Sequence, residues 1–480
     1  MLFNSFEFMA FFIVFLFLFF SLPFKFQPIT ILIASYIFYA GWRPSFTLLL
    51  LFTTILDYTS ALVMANASSQ RIRRAAMIVA LTINLGILGT VKYLDFIISS
   101  VVGTSGYFGF EIPDYALNLI LPVGISFYTF QSVGYTLDVY FRGIEAERSF
   151  LTYAQYVAFF PQLVAGPIER AGHMLPQYRK KHFLRLENIP SGLWLIGYGL
   201  FKKMCIADSV SPFVHGVYSS PDDFSGAYHI IASIFFAIQI YCDFSGYSDI
   251  ARGVARIMDF ELMVNFRQPY FSTSLKEFWT RWHISLSTWF RDYLYFPLGG
   301  NRVSELKWAR NILVVFAVSG VWHGAAWTFV IWGLLHGVGQ LLERAVGKIT
   351  PPRIKDSRTI SAALPIVGWL WTMTIVLIGW VFFRSSSLMG AAHNFESLGN
   401  IGRLSYGTFK ELGLPSFEIG ILGVSLIILL VTDWLIAFRP GVLHRLQNVR
   451  FLPSFVGVIL AYYIIMFGVF GRTDFIYFQF

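Results

Sequence analysis

Long apolar runs separated by short polar punctuation make up most of this chain, and the first of them sets the type. Residues 8–24 lie between Glu7 and Lys25 without a formal charge. A bilayer core is crossed by about 20 apolar residues as a helix, or by about 10 alternating residues as a barrel strand. The runs here are continuous rather than alternating, so they predict helices. Further runs follow at 28–41, 45–65, 75–91, 117–135, 150–165, 190–207, 227–242, 311–342, 360–383, 416–438 and 453–471. The expected fold class is an all-α integral membrane protein with about 11–13 transmembrane or re-entrant helices. Runs broken by Gly and Pro are tolerated at membrane depth only where they are buried in protein or line a cavity. A cleavable signal would open with basic residues and close on a small-residue cleavage site. The first run instead follows Glu7 and leads into a second apolar run, so it is expected to be a retained span.

Composition strengthens this reading. Of the 480 residues, 56% are hydrophobic and 13% charged, against about 45–50% and about 25% in a soluble domain. A disordered chain and an ordinary cytosolic enzyme are both excluded. Phe alone, at 51, outnumbers Lys plus Arg at 36. The net charge of +9 is assigned to cytoplasmic loops rather than to a nucleic-acid surface, because no basic stripe interleaved with stacking aromatics occurs in a soluble segment. The basic loops are Arg71, Arg73 and Arg74, then Arg179, Lys180, Lys181 and Arg185, then Arg344 to Arg358. With Lys25 and Arg71–Arg74 on the cytoplasmic side, the N-terminus is expected outside. Cys205 and Cys242 stand apart in apolar surroundings, so neither a disulfide framework nor a zinc site is expected. The polar stretches at 172–189, 260–282 and 348–359 are too short for a separate soluble domain. Residues 1–480 are expected to form one polytopic membrane domain.

In lipid the informative residues are the polar ones, each costly unless it faces protein or water. The 32 residues from Asn311 to Leu342 carry no formal charge yet contain His323 and His336. As one helix they would measure about 48 Å, more than a hydrocarbon core, so a bend or break is expected near Gly320 or Gly324. His323 is then either a core histidine bonded to a backbone carbonyl or a functional group with room made beside it by Gly324 and Ala325. His336 lies 13 residues on, about 220° around an ideal helix, and need not share its face. Upstream, residues 275–302 form an amphipathic, Trp-rich stretch with Glu277, Arg281, His283, Arg291 and Asp292. This fits an interfacial helix with Trp279, Trp282 and Trp289 at the headgroups, or the polar wall of a cavity containing His283. Asp243 and Asp249 end another apolar run. Two acids with hydroxyl neighbours make a poor hard-metal cage, so a helix terminus or turn capped by Asp and Ser is expected, and no metal site. A nucleophile elbow, a P-loop, a zincin motif and a dinucleotide fingerprint are all absent from the sequence.

The 275–302 stretch together with Val321-Trp322-His323-Gly324 resembles the membrane-bound O-acyltransferase (MBOAT) family, in particular the bacterial branch that includes the alginate O-acetylation protein and the D-alanyl transfer protein of teichoic acids. The likeness extends over nearly the whole chain. It includes Ser35–Tyr39 with Trp42-Arg43-Pro44, Leu121–Phe127, Phe160–Pro167, Asp243–Asp249 and Phe475–Phe480. The Phe160–Arg170 stretch and the C-terminal segment resemble the alginate-acetylation subgroup more closely. Asp138–Gly143 departs from the family pattern, in which Tyr more often runs directly into Arg-Gly.

The resemblance implies a ring of membrane helices around a thinner core, with a tunnel joining a cytoplasmic donor side to an exterior acceptor side. It makes His323 the essential histidine and His283 the second polar position, with His336 a further histidine of less defined role. Trp282, Arg281, Trp322, Asp243 and Asp249 are candidate supporting or substrate-binding positions. The implied reaction is acyl transfer from a thioester, acetyl-CoA above all, with no tightly bound cofactor. The acceptor would be a hydroxyl of an extracytoplasmic polysaccharide or a serine of an exported partner transferase. A hydroxyl is a weak nucleophile at neutral pH, and a neutral imidazole accepting its proton is typically worth about 10²–10⁴-fold. His323 is the candidate base, while His283 would position substrate or polarise the thioester carbonyl; a transient acyl-histidine is the variant route. D-alanyl transfer to teichoic acid is the alternative within this chemistry. A transporter or flippase of an acyl carrier or lipid-linked sugar, with its histidines as proton relays, is the alternative outside it. Expected surroundings are the bacterial inner membrane, its lipids and polysaccharide machinery.

Overall fold

The computed structural model describes all residues except 111, 112, 114, 115, 350–357, 448, 450, 472–474 and 477–480. Part of the third basic loop and the last four residues of the C-terminal family-like segment therefore lie outside the described residues. Among those described, all regular structure is helical. Five helices are long and apolar enough to cross a membrane by length and composition: Phe46–Asn66, Gln70–Tyr107, Gly226–Ile257, Ala363–Arg384 and Ser416–Phe438. Three shorter apolar helices cover Phe6–Ser21, Phe24–Ala40 and Leu452–Phe467. Their outward faces carry large apolar side chains, with Phe6 72% and Phe417 68% exposed. Such faces suit hydrocarbon rather than water, and this is a membrane protein.

The chain forms two compact units, Met1–Leu193 with Ala251–Met263, and Trp194–Ile250 with Val264–Phe480. The boundaries at 193/194 and 250/251 fall inside helices rather than in linkers.

In the first unit, α1 (Phe6–Ser21), α2 (Gln27–Ala40), α3 (Phe46–Asn66) and α4 (Gln70–Leu88) follow the first four apolar runs closely. A π-helical turn at Gly89–Tyr93 carries α4 into α5 (Leu94–Tyr107). The expected span at 117–135 is corrected: helix begins only at α6 (Ile125–Tyr140), because Pro122 precedes a left-handed Gly124 with φ +76° at its start. The run at 150–165 is broken too, into α7 (Phe150–Ala158) and the four-residue α8 (Phe160–Leu163), where Pro161 cannot continue the ladder of α7. Asp57, buried in α3, accepts from the Asn84 side chain of α4 at 2.7 Å and from Thr136 of α6 at 3.5 Å. A carboxyl group in an apolar span needs such partners, and they tie three helices together. After the short α9 (Ala171–Tyr178), the Glu169 carboxylate holds His173 at 2.8 Å and raises the pKa of that imidazole.

Residues 188–219 run as α10 (Asn188–Leu200), within which the second unit begins at Trp194, a π-helical segment Phe201–Ala207 and α11 (Asp208–Ser219). The 32-residue α12 (Gly226–Ile257) crosses this run at Gly199 and Gly246. A Cβ on Gly199 would stand 2.5 Å from the Gly246 carbonyl oxygen, and one on Gly246 2.7 Å from that of Gly199, so the two backbones touch. Asp243 and Asp249 therefore lie within a continuous helix, which corrects the expected terminus or turn. Their carboxylates are matched by lysines across the crossing, so the helix needs no cap there.

The uncharged stretch divides as expected: α15 (Glu305–His323) ends at an extended Gly324, and α16 (Trp327–Ile349) returns. Cβ atoms on Gly320 and Gly333 would collide with the carbonyls of Phe329 and Phe316 respectively, and one on Gly337 would reach Leu313 and Phe316. Contact positions that rise on one helix as they fall on the other define an antiparallel hairpin in backbone contact. Before it come α13 (Leu275–Arg281) and α14 (Ile284–Phe290). After it come α17 (Arg358–Arg384), α18 (Leu388–Glu396), α19 (Tyr406–Glu411), α20 (Ser416–Phe438), α21 (Pro440–Gln447) and α22 (Leu452–Phe467).

Candidate active site

His323 is the last residue of α15 and is 2% exposed. The glycine contacts of the hairpin bring α16 close beneath it, and Trp332 of α16 meets its imidazole edge to face at 4.8 Å between centroids. Phe383 of α17 covers another side at 5.4 Å. Gly324 is closely overlain by the ring of Phe329, so the small residue there serves packing as well as the break.

His283 joins this group from a different element. The stretch 275–302 is not one interfacial helix: α13 and α14 are seven residues each, separated at Trp282-His283. Trp282 and His283 are fully buried and Trp289 nearly so, which corrects the headgroup placement of Trp282 and Trp289. The cause is the break itself, since His283 takes left-handed φ 42° and ψ 54° and turns α14 away from α13. A non-glycine residue held there costs on the order of 1–3 kcal/mol and persists only where its surroundings over-determine it. The turn sets its ring against Phe244 of α12 at 4.6 Å and Trp322 at 5.9 Å, and 6.3 Å from the ring of His323.

His336, also fully buried, shares Trp332 with His323, at 5.3 Å on its own side. Phe278 and Trp279 of α13 and Phe316 of α15 complete its enclosure. Among the described residues neither of its ring nitrogens makes a hydrogen bond. The structure thus brings His283, His323 and Trp322 together, with His336 one indole away. Trp282 packs between Phe266, Phe278 and Trp380 as part of the supporting wall. Arg281 is committed to Glu277 one turn back, at 2.6 Å.

Asp243 and Asp249 face a second cluster. Lys203 pairs with Asp243 at 2.9 Å and Asp208 at 2.8 Å, and Lys202 reaches Asp249 at 2.6 Å and Ser245 at 2.9 Å. The other carboxylate oxygen of Asp243 accepts the Ile476 N–H at 2.7 Å, while Phe475 lies against Tyr247 and Phe244. This network holds α12, which in turn backs His283 through Phe244. Sequence reasoning missed Lys202, Lys203 and Asp208. The signal was present in two consecutive lysines inside the apolar run 190–207, which lipid would not tolerate unpaired. No cluster of metal-ligating side chains occurs among the described residues.

Residues 145–382, a stretch containing all three histidines, match the family model described as the membrane-bound O-acyltransferase family. The chain is 36% identical over 432 residues to the probable alginate O-acetylase AlgI of Pseudomonas aeruginosa, covering 89% of this chain and 81% of that one. It belongs to the MBOAT family. This MBOAT chain is also 36% identical over 409 residues to the peptidoglycan O-acetyltransferase of Helicobacter pylori, covering 79% and 75%. With the teichoic acid D-alanyltransferase of Bacillus subtilis it shares 28% over 233 residues, 46% and 58% of the two chains. Membership makes the chain an acyltransferase and sets aside the transporter reading.

Proposed function

We propose that this MBOAT chain transfers an acetyl group from acetyl-CoA, entering at the cytoplasmic face, to hydroxyls on the far side of the bacterial inner membrane. The acceptor is an extracytoplasmic polysaccharide or the serine of an exported partner transferase. The observation that carries the reading is the convergence of His323 and His283, 6.3 Å apart between ring centroids and walled by Trp322, Trp332, Phe244 and Phe383. A small group seated between the two rings is within reach of both. Acetyl rather than D-alanyl transfer is favoured because the relatives named for O-acetylation align over most of both chains and the D-alanyl relative over about half.

In this mechanism a neutral His323 ring nitrogen accepts the acceptor hydroxyl proton while the oxygen attacks the thioester carbonyl carbon. The carbon–sulfur bond breaks as the tetrahedral intermediate collapses. The departing thiolate takes the proton back from His323, so the cycle closes without net proton change. His283 orients the thioester carbonyl. The aromatic walls exclude the water that would otherwise hydrolyse the donor, and a dry site strengthens each polar interaction within it.

The test supplies radiolabelled acetyl-CoA to native membranes at matched protein levels. His323→Ala is expected to lower incorporation of label by about 10²–10⁴-fold, the worth of a general base. His283→Ala is expected to give a substantial, incomplete loss. Undiminished transfer in the first variant would remove His323 from the chemistry. Wild-type turnover in the second would return His283 to a structural role.

A further inference from the structure

The chain just before α13 runs beside the break at His283. Asn265, 1% exposed, makes two polar contacts to the start of α14 and one to α12. Its backbone carbonyl accepts the Ile284 N–H at 2.9 Å, its side-chain Oδ1 accepts the Ser285 N–H at 3.2 Å, and its Nδ2 donates to the Ser248 hydroxyl of α12 at 3.4 Å. Two residues on, the Arg267 N–H donates to the Arg281 carbonyl at 2.9 Å, fixing the chain on the other side of the break. His283 occupies the cap position of α14 but makes no side-chain cap bond. The first free N–H groups of a helix are ordinarily met by the side chain at its own cap. Here the first two, at Ile284 and Ser285, are met by a residue from a separate segment.

We infer that Asn265 is the positioning residue of the reaction, holding His283 in its left-handed conformation so that the imidazole faces His323. This rests on the reading of His283 given above. The chain has to leave α13, turn and start α14 within the two residues Trp282 and His283, and the bonds to Ile284 and Ser285 fix the direction in which it does so. Ser248 fixes the amide of Asn265 in turn, so the orientation of the ring is referred back to α12. That helix also supplies Phe244 against the same ring.

The experiment is a double-mutant cycle on the full chain in native membranes, with radiolabelled acetyl-CoA as donor. Asn265→Leu keeps the branched outline of the side chain and loses its acceptor and donor. It is expected to lower turnover on the order of 10- to 100-fold, as a misplaced group does, with KM for acetyl-CoA unchanged. Asn265→Asp retains the Oδ1 acceptor and is expected to recover most of that loss. In a His283→Ala background Asn265→Leu is expected to cause no further loss, a coupling that a general loss of packing does not produce. Should Asn265→Leu fail to accumulate, Ser248→Ala takes its place in the cycle, with a smaller loss expected that also vanishes without His283. Full additivity, or wild-type turnover in the Asn265 or Ser248 variant while His283→Ala is impaired, would overturn the inference alone. Wild-type turnover in His283→Ala would overturn the reading of His283 and the inference with it.

Discussion

A histidine in a membrane protein draws notice because lipid disfavours it, and all three candidate histidines here are buried. What separates them is the company of their rings. His336 is enclosed by aromatic groups, and Gly379 of α17 closes the remaining side: a Cβ there would stand 3.0 Å from its Nε2 and 3.2 Å from Trp332. Because Trp332 also touches His323, Gly379→Ala is expected to push both rings and lower turnover about tenfold, at an overpacking cost of about 1–3 kcal/mol. Acyl transfer measured at matched protein level checks this, and unchanged turnover would show that Trp332 does not set the position of His323. At this scale the sequence was informative about identity and poor on surroundings. His323 and His283 stood out as polar residues among Trp and Gly. Trp332, Phe383, Phe244 and Asn265 are ordinary residues in ordinary runs, and their roles come only from the crossing of separate helices.

At the scale of elements, the pattern of apolar runs anticipated most helices and the division near Gly324. Apart from the runs interrupted ahead of Gly124 and at Pro161, two expectations differ from the structure for a common reason. Hydropathy registers how apolar a segment is, and not which of its polar residues are matched from elsewhere. The amphipathic pattern of the Trp-rich stretch fits an interfacial helix or the polar wall of a cavity equally, and it does not show the break that buries Trp282 and His283. Asp243 and Asp249 suggest a capped helix terminus or turn because the lysines that match them lie about forty residues upstream, beyond the reach of local pattern. Those lysines carry a testable cost. Lys203→Met would leave Asp208 and Asp243 as buried carboxylates without their shared cation, a change worth about 3–5 kcal/mol of stability. Thermal unfolding of the purified protein in detergent is expected to register it as a clear drop in midpoint. A midpoint like that of the wild type would mean that the cluster is held by Ile476, Ser245 and the glycine crossing instead.

For the whole molecule, the proposed direction of transfer depends on which side of the membrane each end of the site faces. With Lys25 and the Arg71–Arg74 group cytoplasmic, an epitope fused before Met1 is expected to be reached by antibody on intact spheroplasts. A Ser68→Cys probe in the turn between α3 and α4 is expected to label only from the cytoplasmic side. The opposite pattern would reverse the donor and acceptor faces without disturbing the chemistry assigned to His323. The π-helical segment Phe201–Ala207 carries a consequence of a different kind. Such a turn holds one residue more than ordinary helical winding, absorbed within a continuous helix. Removing one residue from 204–207 is therefore expected to let ordinary winding close the gap with α10 and α11 keeping their faces, and Lys202 and Lys203, ahead of the deletion, keeping their carboxylates. The same deletion inside α10 or α11 would rotate everything beyond it by about 100°. At this point the protein can accept a change in length that its regular helices would refuse.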